Sequence, residues 1–247
     1  MPAEANETSE SSNASPAAEP DTYEEGLLLV QRGELDEAET LWRAAAEAGN
    51  TDAATGLGRL LVQRGELAEA ETWWRTAAEA GNIAAATVLG VLLMQCGELD
   101  EAETWWRTAA EAGDITAAFN LGLLLKRRGD LDEAAQWSRA AADAGNTDAA
   151  NNLGLLLEEG GELDEAEAWY RSAADAGNTT AAYNLGLLLK QRGEFDDAAT
   201  WYRTAADAGN ISAANNLAVL LEQRGELDDA ATWYRTAADA GNSNAAY

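Results

Sequence analysis

The sequence predicts an all-α solenoid of stacked helix-turn-helix units, and three observations carry that prediction. Two glycine series run along the chain, each with a spacing of 32 residues: Gly33, Gly65, Gly97, Gly129, Gly161, Gly193, Gly225 and Gly49, Gly81, Gly113, Gly145, Gly177, Gly209, Gly241. A fixed period of that length marks a repeat array. All 3 prolines (Pro2, Pro16, Pro20) precede residue 21, so the rest of the chain lacks the residue most damaging to a helix interior. Between the glycines, apolar residues recur at steps of three and four, the period of a helix with one buried face.

Taken in order, the elements begin with an acidic leader over residues 1–18, expected to be disordered and lacking the basic and apolar segments of a signal peptide. The array then fills 19–247 as seven units, 19–50, 51–82, 83–114, 115–146, 147–178, 179–210 and 211–242, with a partial eighth at 243–247. In the unit from Thr51, a first helix carries Ala54, Leu57 and Leu61 on one face. Gly65 supplies a left-handed stop, and acids follow it at the positive end of the second helix. That second helix is expected to stack Leu67, Ala70, Trp74 and Ala77. Gly81 ends it, and Asn82 caps the next first helix. On its outer face Glu71, Arg75 and Glu79 stand four apart, placed for ion pairs. Neither helix buries its apolar face alone, so neighbouring units must stack.

Each first helix also carries a glycine in its interior: Gly26, Gly58, Gly90, Gly122, Gly154 and Gly186, with Ala218 in the last full unit. An interior glycine costs about 1 kcal/mol against alanine. A residue without Cβ there implies close approach by the paired helix, and the pairs Trp73-Trp74, Trp105-Trp106, Trp169-Tyr170, Trp201-Tyr202 and Trp233-Tyr234 are the expected filling of the core.

At these residues the sequence resembles the tetratricopeptide repeat and its relative, the Sel-one-like repeat. Leu57-Gly58, Ala70 and Trp74 match the tetratricopeptide signature. Ala54 and Leu61 depart from its aromatic positions, the closing proline is missing, and the unit is shorter than the roughly 34 residues of that family. The segment from Trp201 to Asn210 and the following Ala213-Ala214 are similar to the Sel-one-like pattern. The resemblance implies a right-handed superhelix acting as an adaptor or scaffold, with the first helices on its concave wall.

On that wall the place of Arg59 is taken in the other units by Leu27, Val91, Leu123, Leu155, Leu187 and Val219. An apolar stripe where water is expected points to an interaction surface; the alternative is contact with the next repeat. Beside it runs a ladder, Asn120, Asn152, Asn184 and Asn216. A carboxamide both donates and accepts, so it suits a peptide backbone of any sequence. Such ladders serve that purpose in some superhelical tetratricopeptide proteins, although each Asn could equally bond its neighbouring repeat. Phe119 and Tyr183 add aromatic contacts, and Lys126, Glu158, Lys190 and Glu222 alternate in sign along the wall.

The expected function is therefore a protein-protein interaction scaffold holding an extended peptide or partner protein in the groove. The alternative is a structural array that associates end to end through an uncapped last unit. The chain has no histidine, and its acidic residues recur at helix starts in every unit, so neither catalysis nor a metal or cofactor site is expected. A net charge of −28 repels phosphate backbones and makes nucleic acid an unsuitable partner. The longest apolar stretch, Ile83 to Met94, is too short to span a membrane. A single cysteine, Cys96, permits no internal disulfide, and with no secretion signal the expected location is cytoplasmic.

Overall fold

A computed structural model describes residues 22–244, and among the described residues there are fourteen α-helices and no strand. The acidic leader and residues 245–247 of the partial eighth unit lie outside them. Two compact units are present. The first ends at Ala80 and holds α1 (Thr22–Arg32), α2 (Leu35–Glu47), α3 (Thr51–Arg64) and α4 (Leu67–Glu79). The second begins at Gly81 and opens with α5 (Ile83–Cys96), α6 (Leu99–Glu111), α7 (Ile115–Arg128) and α8 (Leu131–Asp143). It continues through α9 (Thr147–Glu159), α10 (Leu163–Asp175), α11 (Thr179–Arg192), α12 (Phe195–Asp207), α13 (Ile211–Gln223) and α14 (Leu227–Asn244).

The helix boundaries follow the local chemistry. Asn50 caps α3 by accepting the backbone N–H of Ala53 at 2.9 Å, and Asp114 or Asn repeats that bond at the start of α5, α7, α9, α11 and α13. At the other end Gly65 adopts φ +83°, and the N–H of Glu66 reaches back to the carbonyl of Leu61 at 2.9 Å. This left-handed closure satisfies carbonyls that the helix end would otherwise leave unpaired. The last second helix behaves differently: α14 runs through Gly241, where the earlier Ala-Gly-Asn and Ala-Gly-Asp copies stop.

Within each unit a first helix packs on its own second helix and on the second helix before it, as α9 does on α10 and α8. Leu57, Leu61, Leu89, Leu93, Leu121, Leu125, Leu153 and Leu185 are almost wholly buried, and alanines fill the narrow spaces between helices. The interior glycines seat the aromatic of the paired helix. A Cβ on Gly186 would stand 2.6 Å from the Tyr202 ring, and one on Gly58 would overlap the Trp74 indole. The indole N–H of Trp74 in turn donates to the carbonyl of Thr55 at 3.0 Å.

Two expectations need correction. In Trp73-Trp74, Trp105-Trp106, Trp169-Tyr170 and Trp201-Tyr202 only the second member is core, and in Trp233-Tyr234 neither is. Trp73, Trp105, Trp169 and Trp201 are half-buried, because one residue further round the helix turns the ring toward the rim, where Trp73 and Trp105 meet Glu69 and Glu101. Leu67 does not stack in the core either. It and its counterparts Leu99, Leu131, Leu163, Phe195 and Leu227 are 37% to 62% exposed. The first side chain of a helix leans back past the helix end, beyond the reach of its partner.

The outer surface is laced by arginine. Arg43 bridges Glu39 on its own helix and Glu69 two helices on, and Arg107 repeats this with Glu103 and Glu133. Arg64 reaches back to Asp36 and Glu39 at 2.5 Å each, and Arg192 to Asp164 and Glu167 at 2.8 and 2.6 Å. Of the predicted ladder, Arg75 pairs with Glu71 at 2.9 Å, so the ladder is short and the longer straps join separate repeats.

Candidate functional site

Side chains at the same register of α7, α9, α11 and α13 share one wall of the second unit. These first helices approach one another directly, α7 with α9, α9 with α11 and α11 with α13, and no pair of successive second helices in that unit comes as close. The first helices therefore form the more tightly drawn side of the stack. Four turns of each helix place Phe119, Asn151, Tyr183 and Asn215 at one level, and Leu123, Leu155, Leu187 and Val219 at the next. Lys126, Glu158, Lys190 and Glu222 complete it.

Leu123, Leu155, Leu187 and Val219 are half-buried, as are Phe119 and Tyr183. They are neither sealed in the core nor fully in water, which leaves an apolar strip with one accessible edge. In the first unit Leu27 and Val30 lie at the same levels, half-buried against the cluster around Trp42, while Arg59 is exposed.

The asparagine ladder divides into three kinds of residue. Asn120 and Asn216 are half-buried and make no hydrogen bond among the described residues. Asn184 donates to Asn151 Oδ1 of the preceding repeat at 2.9 Å and keeps its own carbonyl oxygen available. Asn152 is only 5% exposed and donates to Ser138 Oγ at 2.8 Å, so it is closed to a ligand. The reason lies one helix back. Ser138 occupies the place that Trp106, Tyr170 and Tyr202 fill in other repeats, and the missing ring leaves room for Asn152 to turn inward.

The charged level is also uneven. Lys126 pairs with Glu159 of the next repeat at 3.2 Å. Glu158 accepts the phenol of Tyr170 at 2.9 Å, and Glu222 that of Tyr234 at 3.0 Å. Burial and the Glu158 hydrogen bond push the Tyr170 phenol well above its ordinary range, so it remains the donor. Lys190 has neither ion pair nor hydrogen bond among the described residues. The Tyr202 hydroxyl is buried without a partner, and the Tyr183 ring lies 6.1 Å from that of Tyr202. The sequence shows the alternation of Lys and Glu, but these tyrosine contacts are invisible until the 12-residue offset between them is folded into one place.

Sequence reasoning also passed over the exposed apolar residue that opens the second helices, Leu67 in the first unit and Leu99, Leu131, Leu163, Phe195 and Leu227 in the second. Its signal was present, an apolar residue at the same position of every unit, but position in the repeat did not reveal which way it points. Among the described residues no group of His, Cys, Asp and Glu is arranged to hold a metal ion, and no helix is long and apolar enough to cross a membrane.

Known proteins place this arrangement among helical repeats. The tetratricopeptide repeat profile matches residues 23–82, 87–149, 139–181 and 183–245. Among solved structures, a Sel1 repeat protein from Oxalobacter formigenes is 29% identical over 88% of this chain and 99% of its own, with a TM-score of 0.68. PilF of Pseudomonas aeruginosa is similar in fold at 21% identity, covering 80% of this chain and 97% of its own, with a TM-score of 0.62. YrrB, described as a tetratricopeptide repeat protein with an unusual peptide-binding site, is 22% identical over 70% of this chain and 95% of its own, with a TM-score of 0.55. No curated protein sequence matches.

Proposed function

The chain belongs to the tetratricopeptide repeat family, and we propose that it works as a protein-interaction scaffold holding an extended peptide along the first-helix wall of its second unit. The observation that carries this reading is the pair of uncommitted carboxamides, Asn120 and Asn216, beside the half-buried strip Leu123, Leu155, Leu187 and Val219. Half-buried and without a protein partner among the described residues, these amides are open to water or to a ligand. A peptide backbone offers both the donor and the acceptor that a carboxamide needs, at about 3.3 Å per residue of extended chain. Apolar side chains of that peptide would cover the leucines. Phe119 and Tyr183 line the same wall, and Asn184 contributes its free oxygen. Asn152 serves the fold and not the ligand. Family members bind protein partners, and the peptide-binding site attributed to YrrB sits on the same architecture, although at 22% identity that likeness speaks for the fold alone.

The test is a quantitative pull-down from native lysate with the parent chain, an Asn120→Ala/Asn216→Ala variant and Asn152→Ala, matched for helical content by circular dichroism. The double variant is expected to keep its thermal midpoint and lose the proteins the parent retains. Asn152→Ala is expected to retain them while losing about 1–2 kcal/mol of stability, because Ser138 is left buried without its donor. Equal retention by parent and double variant would overturn the wall reading. Sedimentation over a wide concentration range separates it from end-to-end assembly, which requires the particle to grow.

A further inference from the structure

The residue that opens each second helix of the second unit is apolar and stands among acids. The tetrapeptides at 98–101, 130–133, 162–165, 194–197 and 226–229 all read acid, apolar, acid, acid. Leu99, Leu131, Leu163, Phe195 and Leu227 are 37% to 62% exposed, whereas Ala102, Ala134 and Ala166, three positions on, are sealed in the core. A single exposed leucine needs no explanation, but one at the same place of every repeat does. The acid before it is not a hydrogen-bonding cap either. Glu98, Asp130, Glu162 and Glu194 hold the N-cap positions of α6, α8, α10 and α12, and none accepts a capping hydrogen bond. The helix dipole favours an acid there, yet it gives no reason for the apolar neighbour.

Arginine straps draw these places onto one edge. Arg128 reaches back to Asp100 at 2.7 Å, Arg192 to Asp164 at 2.8 Å and Arg224 to Asp196 at 2.5 Å, each from the end of the following first helix. The strapped carboxylates are still almost fully exposed. Gly160 stands where the next such arginine would, and Asp132 makes no ion pair among the described residues. The edge is notched between successive repeats. One notch is lined by Leu99 with Glu98, Asp100 and Arg128, and another by Phe195 and Leu220 with Asp196 and Arg224.

We propose that this edge of the second unit docks a basic amphipathic segment of a partner protein. Apolar side chains of that segment cover Leu99, Leu131, Leu163 and Phe195, and its Lys or Arg side chains meet the flanking carboxylates. Charge selects the occupant. At −28 the chain repels nucleic acid and anionic membrane surfaces. A second copy brings the same charge and the same acid-flanked apolar residues, so two such edges oppose one another. A polypeptide with cations around an apolar stripe is complementary on both counts. The surface is separate from the first-helix wall and uses none of its asparagines.

The edge is tested on the full chain by calorimetric titration with three peptide amides. The first is built of Leu and Lys with its leucines at helical spacing, the second has the same composition with the leucines spread around the helix, and the third carries Glu in place of Lys. The first is expected to bind saturably, the second at least about tenfold more weakly, and the third not at all. Leu99→Ser/Leu163→Ser/Phe195→Ser should weaken the first peptide by about tenfold or more at an unchanged thermal midpoint, because these side chains are exposed. Glu98→Gln/Glu162→Gln/Glu194→Gln, which removes charge alone, supplies the comparison if the serine variant folds poorly, and should also flatten the salt dependence of binding. Equal affinity for the first two peptides would assign the binding to bulk charge and overturn the proposal. Parental affinity in both edge variants would do the same. So would a particle that grows with concentration and ceases to do so in the serine variant, which would give the edge to a second copy. Asn120→Ala/Asn216→Ala should bind the first peptide as the parent does; loss of binding there would move the peptide to the wall. The two readings therefore fail separately, since the pull-down tests the wall and the titration tests the edge.

Discussion

At the residue scale the repeat is organised around a contact between a glycine and a ring. Gly186 carries no Cβ because the Tyr202 ring occupies the place where one would go, and Gly58 is held by Trp74 in the same way. Alanine has the better helix propensity, by about 1 kcal/mol, so propensity alone favours replacing these glycines. Packing decides otherwise. Gly186→Ala should lower stability by about 1–3 kcal/mol, the usual range for overpacking a filled core, as read from thermal and denaturant unfolding. A neutral or stabilising result would mean that Tyr202 is free to move aside. The last repeat illustrates the alternative, with Ala218 in the glycine's place and Tyr234 38% exposed. Ser138 and Asn152 show a second adjustment of the same kind, a lost ring compensated by an amide drawn in from the next repeat.

At the element scale, helices are joined by two devices of different strength. Burial of leucine and alanine between first and second helices supplies most of the cohesion, at about 25 cal/mol per Å² of apolar surface removed from water. Arginine straps add specificity of register, since each reaches a fixed position, Arg43, Arg107 and Arg139 two helices on and Arg64 and Arg192 one helix back. Singly they are weak because they are partly exposed. They do shape the acid response. Hydrogen bonds from Arg43, Arg107 and Arg139 hold Glu69, Glu133 and Glu165 below the usual glutamate range. A carboxylate depressed in the folded state stabilises it fully above the unfolded value and loses that contribution as pH falls through the folded one. The straps should therefore be intact at neutral pH and fail below about pH 4.5. Thermal midpoints of an Arg43→Gln/Arg107→Gln/Arg139→Gln variant should accordingly lie below the parent at pH 7 and approach it as the pH falls below about 4.5. A constant gap across that interval would show that the arginines act through packing and not through charge.

At the scale of the whole molecule the dominant electrostatic fact is the net charge of −28. Straps neutralise some carboxylates in pairs, but only 16 basic residues face 44 acidic ones, so the remainder repel one another across the surface. Screening shortens that repulsion to about 3 Å at 1 M salt from about 10 Å at 0.1 M. Raising sodium chloride over that range should increase the thermal midpoint, even though it weakens the exposed straps. A fall in the midpoint would show that the arginine network outweighs the general repulsion. If the proposed peptide binding holds, the same charge favours neutral or basic peptides over acidic ones.

The repeat length, the helix pairs and their stops were legible in the sequence because they rest on local rules: periodic leucine and alanine, an Asn cap, a left-handed glycine. The family was legible for the same reason. Facing was harder. Leu67 looked like core because its spacing from Ala70 and Trp74 is helical, yet only the helix pair shows that the first residue of α4 overhangs its end. Gly241 keeps the stop sequence of its six predecessors, yet α14 passes through it, so the tripeptide by itself does not impose the left-handed turn. The asparagines read as four equal rungs until tertiary packing set Ser138 beside Asn152 and Asn151 beside Asn184. The unpartnered Tyr202 hydroxyl belongs wholly to the folded chain, because a hydroxyl becomes an orphan only when burial removes the water that would have satisfied it.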